Sequence, residues 1–512
     1  MRIAALLCAV LICSVARADA AGEAASQLLT PTTPQAWSMA AKRDIELTYQ
    51  IYLANHPGVF NTEDPQFAVR LAVARKNALT LAAQVKDAGG FSAAIDRFSA
   101  GLRDGHALAY MDVAQSAADR WPGFVAAWRG EGLYVYASTL PEIKAGDEIL
   151  ACDHRSANTL MLQNVFRFGG RPDEAGQWWS QARNLFVDGG NPFVRLPKRC
   201  TFRTGDHVAT IDITWRQTDA NYETWRKASY NGDVLKPGLT EPRPKLFWVA
   251  MPTFEPDDVA RDAYRKAIDT LRDRRSEILS ADAIVIDLRN NQGGSSFWSE
   301  ALTQSLWGAG RIDRLRASWP SRVWWRASED NTNYVESLVA KFRADGQPES
   351  ASSFASAATG MRNALRHEQR YYVEPLNLPS LSKGADPAPL MTPVYVIVPG
   401  QCASACLDAL DVFTHFPNTK LIGSPSSADT VYLEIRSQTL PDGLVKVVIP
   451  NKLYRNRPRA AGYYYRPAIE VDDLVWSTHT FVDVVETDLK RGRRAAGRNQ
   501  VVQQIEKPEV TR

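Results

Sequence analysis

Apolar positions along the chain follow two rhythms that change by region. From residue 33 to 104 they recur at helical spacing. Trp37 to Leu53, Phe67 to Val85 and Phe91 to Leu102 each carry one apolar face, and Pro57-Gly58 separates the first from the second. From 121 to about 215 the rhythm shortens. Phe124-Val125-Ala126-Ala127-Trp128, Leu133-Tyr134-Val135-Tyr136 and Ala209-Thr210-Ile211-Asp212-Ile213 read as short strands between turns. A polar, proline-bearing stretch from 216 to 244 marks a boundary.

Beyond it the pattern predicts a third unit. Leu246 to Ala250 and Ala283 to Leu288 are strands, with an amphipathic helix from Asp257 to Leu279 between them. From 296 to 389 the pattern loosens. Trp298 and Trp307 fall on a helix. Trp319, Trp324 and Trp325 interleave with Arg314, Arg316, Arg322 and Arg326, a mixture that suits packing against neighbouring surface. Residues 327 to 389 read as an insertion or lid. Pro393-Val394-Tyr395-Val396-Ile397-Val398 is a buried strand, and Leu407, Leu410, Val412 and Phe413 share a helical face. The stretch from Pro399 to Cys406 therefore turns a strand into a helix, with Ser404 at the turn. Thr419 to Gly423 is a further strand, and Pro441-Asp442-Gly443 closes a hairpin. The basic run Lys490-Arg491-Gly492-Arg493-Arg494 reads as a solvated tail.

At 512 residues the chain is long enough for several domains. Its formal net charge of +3 gives no warrant for nucleic-acid binding, and no nucleic-acid motif is present. Arg2, the apolar run from Ile3 to Val15 and the small residues around Ala18 and Ala20 form an export signal, too short for a stable anchor. The expectation is an exported, periplasmic or secreted chain with no membrane anchor after cleavage. Cys8 and Cys13 leave with the signal. Cys152, Cys200, Cys402 and Cys406 remain and allow three full pairings in an oxidising compartment.

Ser404 is the candidate for chemistry at this turn. Unpaired N–H groups at a helix start stabilise an anion developing beside it. The bland alternative is an ordinary serine N-cap. Ala145-Gly146-Asp147-Glu148-Ile149-Leu150 resembles the Gly-Asp-x-Ile-Leu stretch of PDZ domains, which bind peptide C-termini by strand addition. Cys152 closes that stretch and Cys200 lies on a later strand of the same module, which makes them the favoured disulfide. Cys402 and Cys406 straddle Ser404, either bridged or simply buried. The histidines show no paired ligand spacing, and no phosphate loop or dinucleotide fingerprint is present, so no metal or cofactor is implied.

Three separated features agree. Asp287-Leu288-Arg289-Asn290-Asn291-Gln292-Gly293-Gly294, the small-residue turn Ala403-Ser404-Ala405, and Ile422-Gly423-Ser424-Pro425 together resemble the C-terminal processing (tail-specific) serine peptidases. The resemblance spans about 100 to 475 and is weakest in the 300 to 389 insertion. It implies a crotonase/Clp-like ββα α/β core with an N-terminal helical segment and a PDZ-like β module. The divisions would be a signal peptide (1–20), a helical domain (21–118), the PDZ-like domain (119–216), the peptidase core (240–485) and a basic tail (486–512).

One branch of that family uses a lysine 25 residues after the serine, and this chain has Asp429 there. A second, tricorn-type branch takes a histidine from well before the serine, and Asp104-Gly105-His106 looks like its motif. The resemblance then implies Ser404 as nucleophile and His106 as general base. His415 lies about 16 Å further along the helix and is too far. Glu434 is the first choice of orienting carboxylate, ahead of Asp429, Asp408 and Asp104. Ala405 with Gly293 or Gly294 would donate to the oxyanion. The expected partner is a peptide or protein, engaged by its C-terminus. The alternatives are a non-catalytic peptide-binding protein on the same scaffold and an esterase, although Cys402 and Cys406 occupy the glycine positions of the esterase elbow.

Overall fold

A computed structural model describes residues 30–113, 119–233, 235–376 and 386–505. The expected export signal lies outside them. The fold is mixed α/β, and its centre is a six-stranded sheet in the order Gly238–Arg243, Leu246–Ala250, Ala283–Asp287, Val394–Val398, Thr419–Gly423 and Ile469–Glu470. The first pair is antiparallel and the others are parallel. These central strands read as continuous apolar runs because helices cover both faces. Phe247, Val249, Ile284, Ile286, Val394, Val396 and Val398 pack on one side, with Trp298, Leu302, Leu407 and Leu410. Leu246, Trp248, Ala283, Val285, Tyr395 and Ile397 face the other, with Tyr230, Trp476 and Phe481. Successive residues alternate between two cores, as the pleat requires.

Two boundaries differ from the sequence reading. The polar stretch 216 to 244 folds as the helix Ala220–Asn231 and the sheet's antiparallel edge strand, Gly238–Arg243. The basic run from Lys490 lies within the helix Thr478–Ile505 rather than in a loose tail. Charged residues spaced around a helix are solvated as well there as in coil, so composition alone does not separate the two.

A second, five-stranded sheet is built around Val445–Arg455, which pairs with Tyr432–Thr439 on one edge and with Leu108–Met111 and Arg322–Arg326 on the other. The 300 to 389 region is therefore more than a surface insertion, since it supplies Arg322–Arg326 and Tyr371–Val373 to this sheet. Its helices Glu329–Ala344 and Pro348–Arg366 pack a small core of Val335, Phe342, Phe354 and Met361 against Trp325. The N-terminal helices Pro34–Asn55, Gln66–Ala82 and Ala88–Leu102 lie on the second sheet. Trp37, Ile45, Tyr52, Phe67, Phe91 and Phe98 share one core with Tyr432, Val447, Ile449 and Leu453. The helical segment and the last third of the chain fold as one layer pair.

Residues 124 to 212 form a separate antiparallel sheet in the order Phe124–Arg129, Gly132–Ser138, Glu148–Cys152, Arg199–Thr204 and His207–Asp212. Cys152 and Cys200 sit opposite each other on paired strands and are joined as a disulfide. The edge strand Phe124–Arg129 is buried along its whole length, whereas His207–Asp212 is largely exposed.

His56 is fully buried under this assembly. Its Nδ1 accepts the Gly58 N–H at 2.9 Å, so Nε2 carries the proton and faces Asp104 Oδ2 at 3.1 Å. Burial pushes His56 below the ordinary histidine value, with Asp104 opposing. Burial alone would raise Asp104, but the hydrogen bond from His56, together with His106, outweighs it and holds this carboxyl below its ordinary value. The unfolded chain therefore binds protons first as pH falls. The His56 contribution is fully present above the ordinary histidine pKa of about 6.5 and is lost below it. In urea titrations wild type is expected to exceed His56→Gln in stability at about pH 7.5, and the gap is expected to narrow by about pH 5. A gap independent of pH would contradict a neutral His56.

Candidate active site

The site is built where two loops leave adjacent parallel strands. Asp287 and Ile397 are in register, so the loops after Ala283–Asp287 and Val394–Val398 emerge side by side at the carboxyl end of the sheet. In the first loop the charged residues are structural. Asp287 and Arg289 are completely buried and bonded to each other, with Arg289 Nη2 2.7 Å from Asp287 Oδ2. Arg289 also donates to the Trp476 carbonyl at 2.7 Å and to Thr478 Oγ1 at 2.8 Å, and pairs with Asp233. Asn291, also buried, donates to the Met251 carbonyl at 2.8 Å and accepts the Gly293 N–H at 2.8 Å. These bonds fix the turn and deliver Gly293 and Gly294 to the second loop, at φ +111° and +125°. A methyl on Gly293 would lie 2.8 Å from Ser404 Cβ and 3.2 Å from the Ala405 nitrogen.

Ser404 precedes the helix Ala405–Phe413 at φ 55° and ψ −129°, a backbone conformation that side chains rarely accept. Its hydroxyl makes no capping bond and no other hydrogen bond among the described residues. The bland reading as an N-cap fails on this point. Cys402 and Cys406, both fully buried, are bridged across the turn. The Ser404 carbonyl accepts from Leu407 and Asp408 at 2.9 and 3.1 Å, while the Ala405 N–H has no backbone partner among the described residues. Of the two glycines, Gly293 already gives its N–H to Asn291, whereas the Gly294 N–H makes no hydrogen bond among the described residues.

Asp429 lies beside this turn. Its carboxylate accepts the Ser404 backbone N–H through both oxygens, at 3.1 and 2.9 Å. Arg459 sits 3.3 Å from Asp429 and also pairs with Asp408 and Asp411. Thr430, the next residue, donates to Asp104 Oδ1 at 3.0 Å, and the same oxygen accepts the His106 N–H at 3.0 Å. Residues 428 to 430 thus connect the Ser404 turn to the His106 turn. His106 Nδ1 is buried without a hydrogen-bond partner among the described residues. No hydrogen bond joins His106 to Ser404 among the described residues.

Glu434 is placed differently from the expectation. It lies at φ 58° on the strand Tyr432–Thr439, and its carboxylate pairs with Lys452 at 3.0 Å, both side chains being buried. No hydrogen bond or ion pair joins it to His106 among the described residues. A buried lysine needs a counter-charge, and Glu434 provides it. Lys420 is bonded to Asp488 at 2.6 Å, away from this cluster.

The antiparallel module braces the same loops. Glu174 accepts the Ala428 N–H at 2.9 Å, and Arg171 donates to the Ala428 carbonyl at 3.1 Å. Gln177 bonds Ser427 Oγ at 2.6 Å, which in turn bonds the Gly400 carbonyl at 2.9 Å. Gly176 and Gly400 pass so closely that neither tolerates a side chain. Sequence reasoning missed Arg171, Glu174, Arg459 and the hold of Asp429 on Ser404. Only the spacing of 25 residues between Ser404 and Asp429 singled out one of them.

No family model matches the chain, and no curated protein matches its sequence. The fold is similar to that of mature CPAF, with a TM-score of 0.59 at 13% identity, covering 88% of this chain and 97% of that one. A structure of mature CPAF complexed with lactacystin gives the same TM-score and identity over 89% and 98%. At this identity the likeness establishes the fold.

Replacing Gly293 with alanine forces a methyl into Ser404 and the Ala403 carbonyl at a φ that favours glycine. The variant is expected to lose about 1–3 kcal/mol of stability, read as a lower urea midpoint. Gly146, at φ +91° with open space around it, is the control and is expected to show only the backbone cost of its own turn.

Proposed function

We propose that this protein is a serine peptidase of the C-terminal processing type that hydrolyses peptide bonds through an acyl-enzyme. The observation that carries the reading is Ser404. It holds a strained backbone at a helix start, and its hydroxyl and the adjacent Ala405 N–H make no hydrogen bond among the described residues. Strain of this kind persists where surrounding structure enforces it, and it clusters at reactive residues. The CPAF-like fold and the Asp287-to-Gly294 motif support the same reading.

In this scheme Ser404 Oγ attacks the scissile carbonyl, and its proton passes to the unpartnered imidazole of His106. The carbonyl oxygen becomes negative and is held by the N–H groups of Ala405 and Gly294, since that of Gly293 serves Asn291. His106 then returns the proton to the leaving amine, and water completes the cycle by the same route. No carboxylate bonds the His106 ring among the described residues, so the scheme is a dyad with the ring carried by its turn. His106 must come within hydrogen-bonding reach of Ser404 as substrate binds, which is common where an unliganded catalytic pair is loose. The substrate is a peptide or protein in an exported compartment. If the antiparallel module takes a peptide by strand addition, its open edge is His207–Asp212, because Phe124–Arg129 is buried.

The missing contact between His106 and Ser404 is the one observation that favours the second reading, a peptide-binding protein on this scaffold. Fluorophosphonate labelling separates the two. The reagent is expected to modify Ser404, located by mass spectrometry, and His106→Ala is expected to slow labelling by about 10²-fold or more. Full-rate labelling of the histidine variant would remove His106 as base. An unlabelled wild type, with and without added peptide, would remove the peptidase reading.

A further inference from the structure

We infer that Asp429 is a positioning residue for Ser404, holding the nucleophile's backbone rather than accepting its proton. The inference rests on the peptidase reading. As the residue before the helix, Ser404 has an N–H outside the helical ladder, and it needs an acceptor of its own. Asp429 supplies that acceptor with both oxygens, at 3.1 and 2.9 Å, while the Ser404 carbonyl is fixed from the other side by Leu407 and Asp408. Both backbone polar atoms of Ser404 are thereby restrained. Gly293 closes the remaining space against Ser404 Cβ.

The carboxylate is itself immobilised. Asp429 is buried, and Arg459 lies 3.3 Å from Oδ2 while being anchored to Asp411 and Asp408. Tyr465 completes the anchor by donating to Asp411 Oδ1 at 2.6 Å. No hydrogen bond joins Asp429 to Ser404 Oγ among the described residues, so the carboxylate is not placed as the base. Its bond also keeps the Ser404 N–H away from the oxyanion and leaves Ala405 as the donor at the helix start. Where a lysine base would fall by spacing, this chain carries an anchor for the turn. Small displacements of a nucleophile cost about 10²-fold in rate, and this sets the expected effect.

The rate constant for fluorophosphonate labelling tests the inference, because it is a property of folded molecules and does not depend on how many there are. Asp429→Ala is expected to label Ser404 about 10²-fold more slowly than wild type. Asp429→Asn keeps an acceptor oxygen without the charge and is expected to remain within about 10-fold, with kcat rather than KM carrying the difference. If the alanine variant does not fold, Asp429→Val provides the same loss of acceptor with the volume filled. Wild-type labelling rates in Asp429→Ala, with only a lowered melting temperature, would overturn the inference and leave Asp429 a stability residue. An asparagine variant as slow as the alanine one would overturn it in favour of a role for the charge. An unlabelled wild type would overturn the peptidase reading and this inference together, an outcome the variants alone cannot produce.

Discussion

The site depends on one register. Parallel pairing of Ala283–Asp287 with Val394–Val398 sets Asp287 opposite Ile397 and brings the glycine loop and the serine loop out at the same edge. A slip of one residue would exchange the two faces of each strand, moving Ile284 and Ile286 out of the core they share with Trp298 and Leu407. The hydrophobic pattern that fixes the sheet therefore also fixes the contact between Gly293 and Ser404. That register is enforced by two fully covered faces.

Polar residues near the site divide by burial. Asp287 and Arg289 are completely buried and mutually satisfied. Removing one member of such a pair leaves an uncompensated charge, at a cost of about 3–5 kcal/mol. Their role is to hold a turn and, through the Trp476 carbonyl and Thr478, to tie it to the C-terminal helix. Ser404 and His106 show the reverse pattern. Each carries a side-chain atom with no hydrogen-bond partner among the described residues.

Three remote segments meet at residues 426 to 430. Asp104 takes Thr430, Glu174 and Arg171 take Ala428, and Arg459 takes Asp429. The N-terminal helices, the antiparallel module and the end of the core thus converge on one loop. A displacement of the module would be felt at the Ser404 backbone through Ser427 and Gly400, since these are joined by direct hydrogen bonds. This rigid connection explains why close glycine contacts, Gly176 against Gly400, recur at the junction.

Periodicity alone determined most of the elements here. The three N-terminal helices, the short strands of the module, the central apolar strands and the strand-to-helix turn at Ser404 all follow from spacing, because one buried face repeats every two or every 3.6 residues. Cys152 and Cys200 were legible as a local pair because both fall in the PDZ-like stretch and its later strand. The 300 to 389 region was misread, since its strand Arg322–Arg326 is stabilised by pairing with Val445–Arg455, more than a hundred residues away, and not by its own alternation. The partners of Glu434 and Asp429 were likewise beyond reach. A carboxylate's role depends on which donors the fold brings within about 3 Å. Lys452 reaches Glu434 from the neighbouring antiparallel strand, and the Ser404 N–H reaches Asp429 because a positive φ turns it there. Composition and spacing carry no record of either, whereas tertiary packing decides both, through backbone direction and burial.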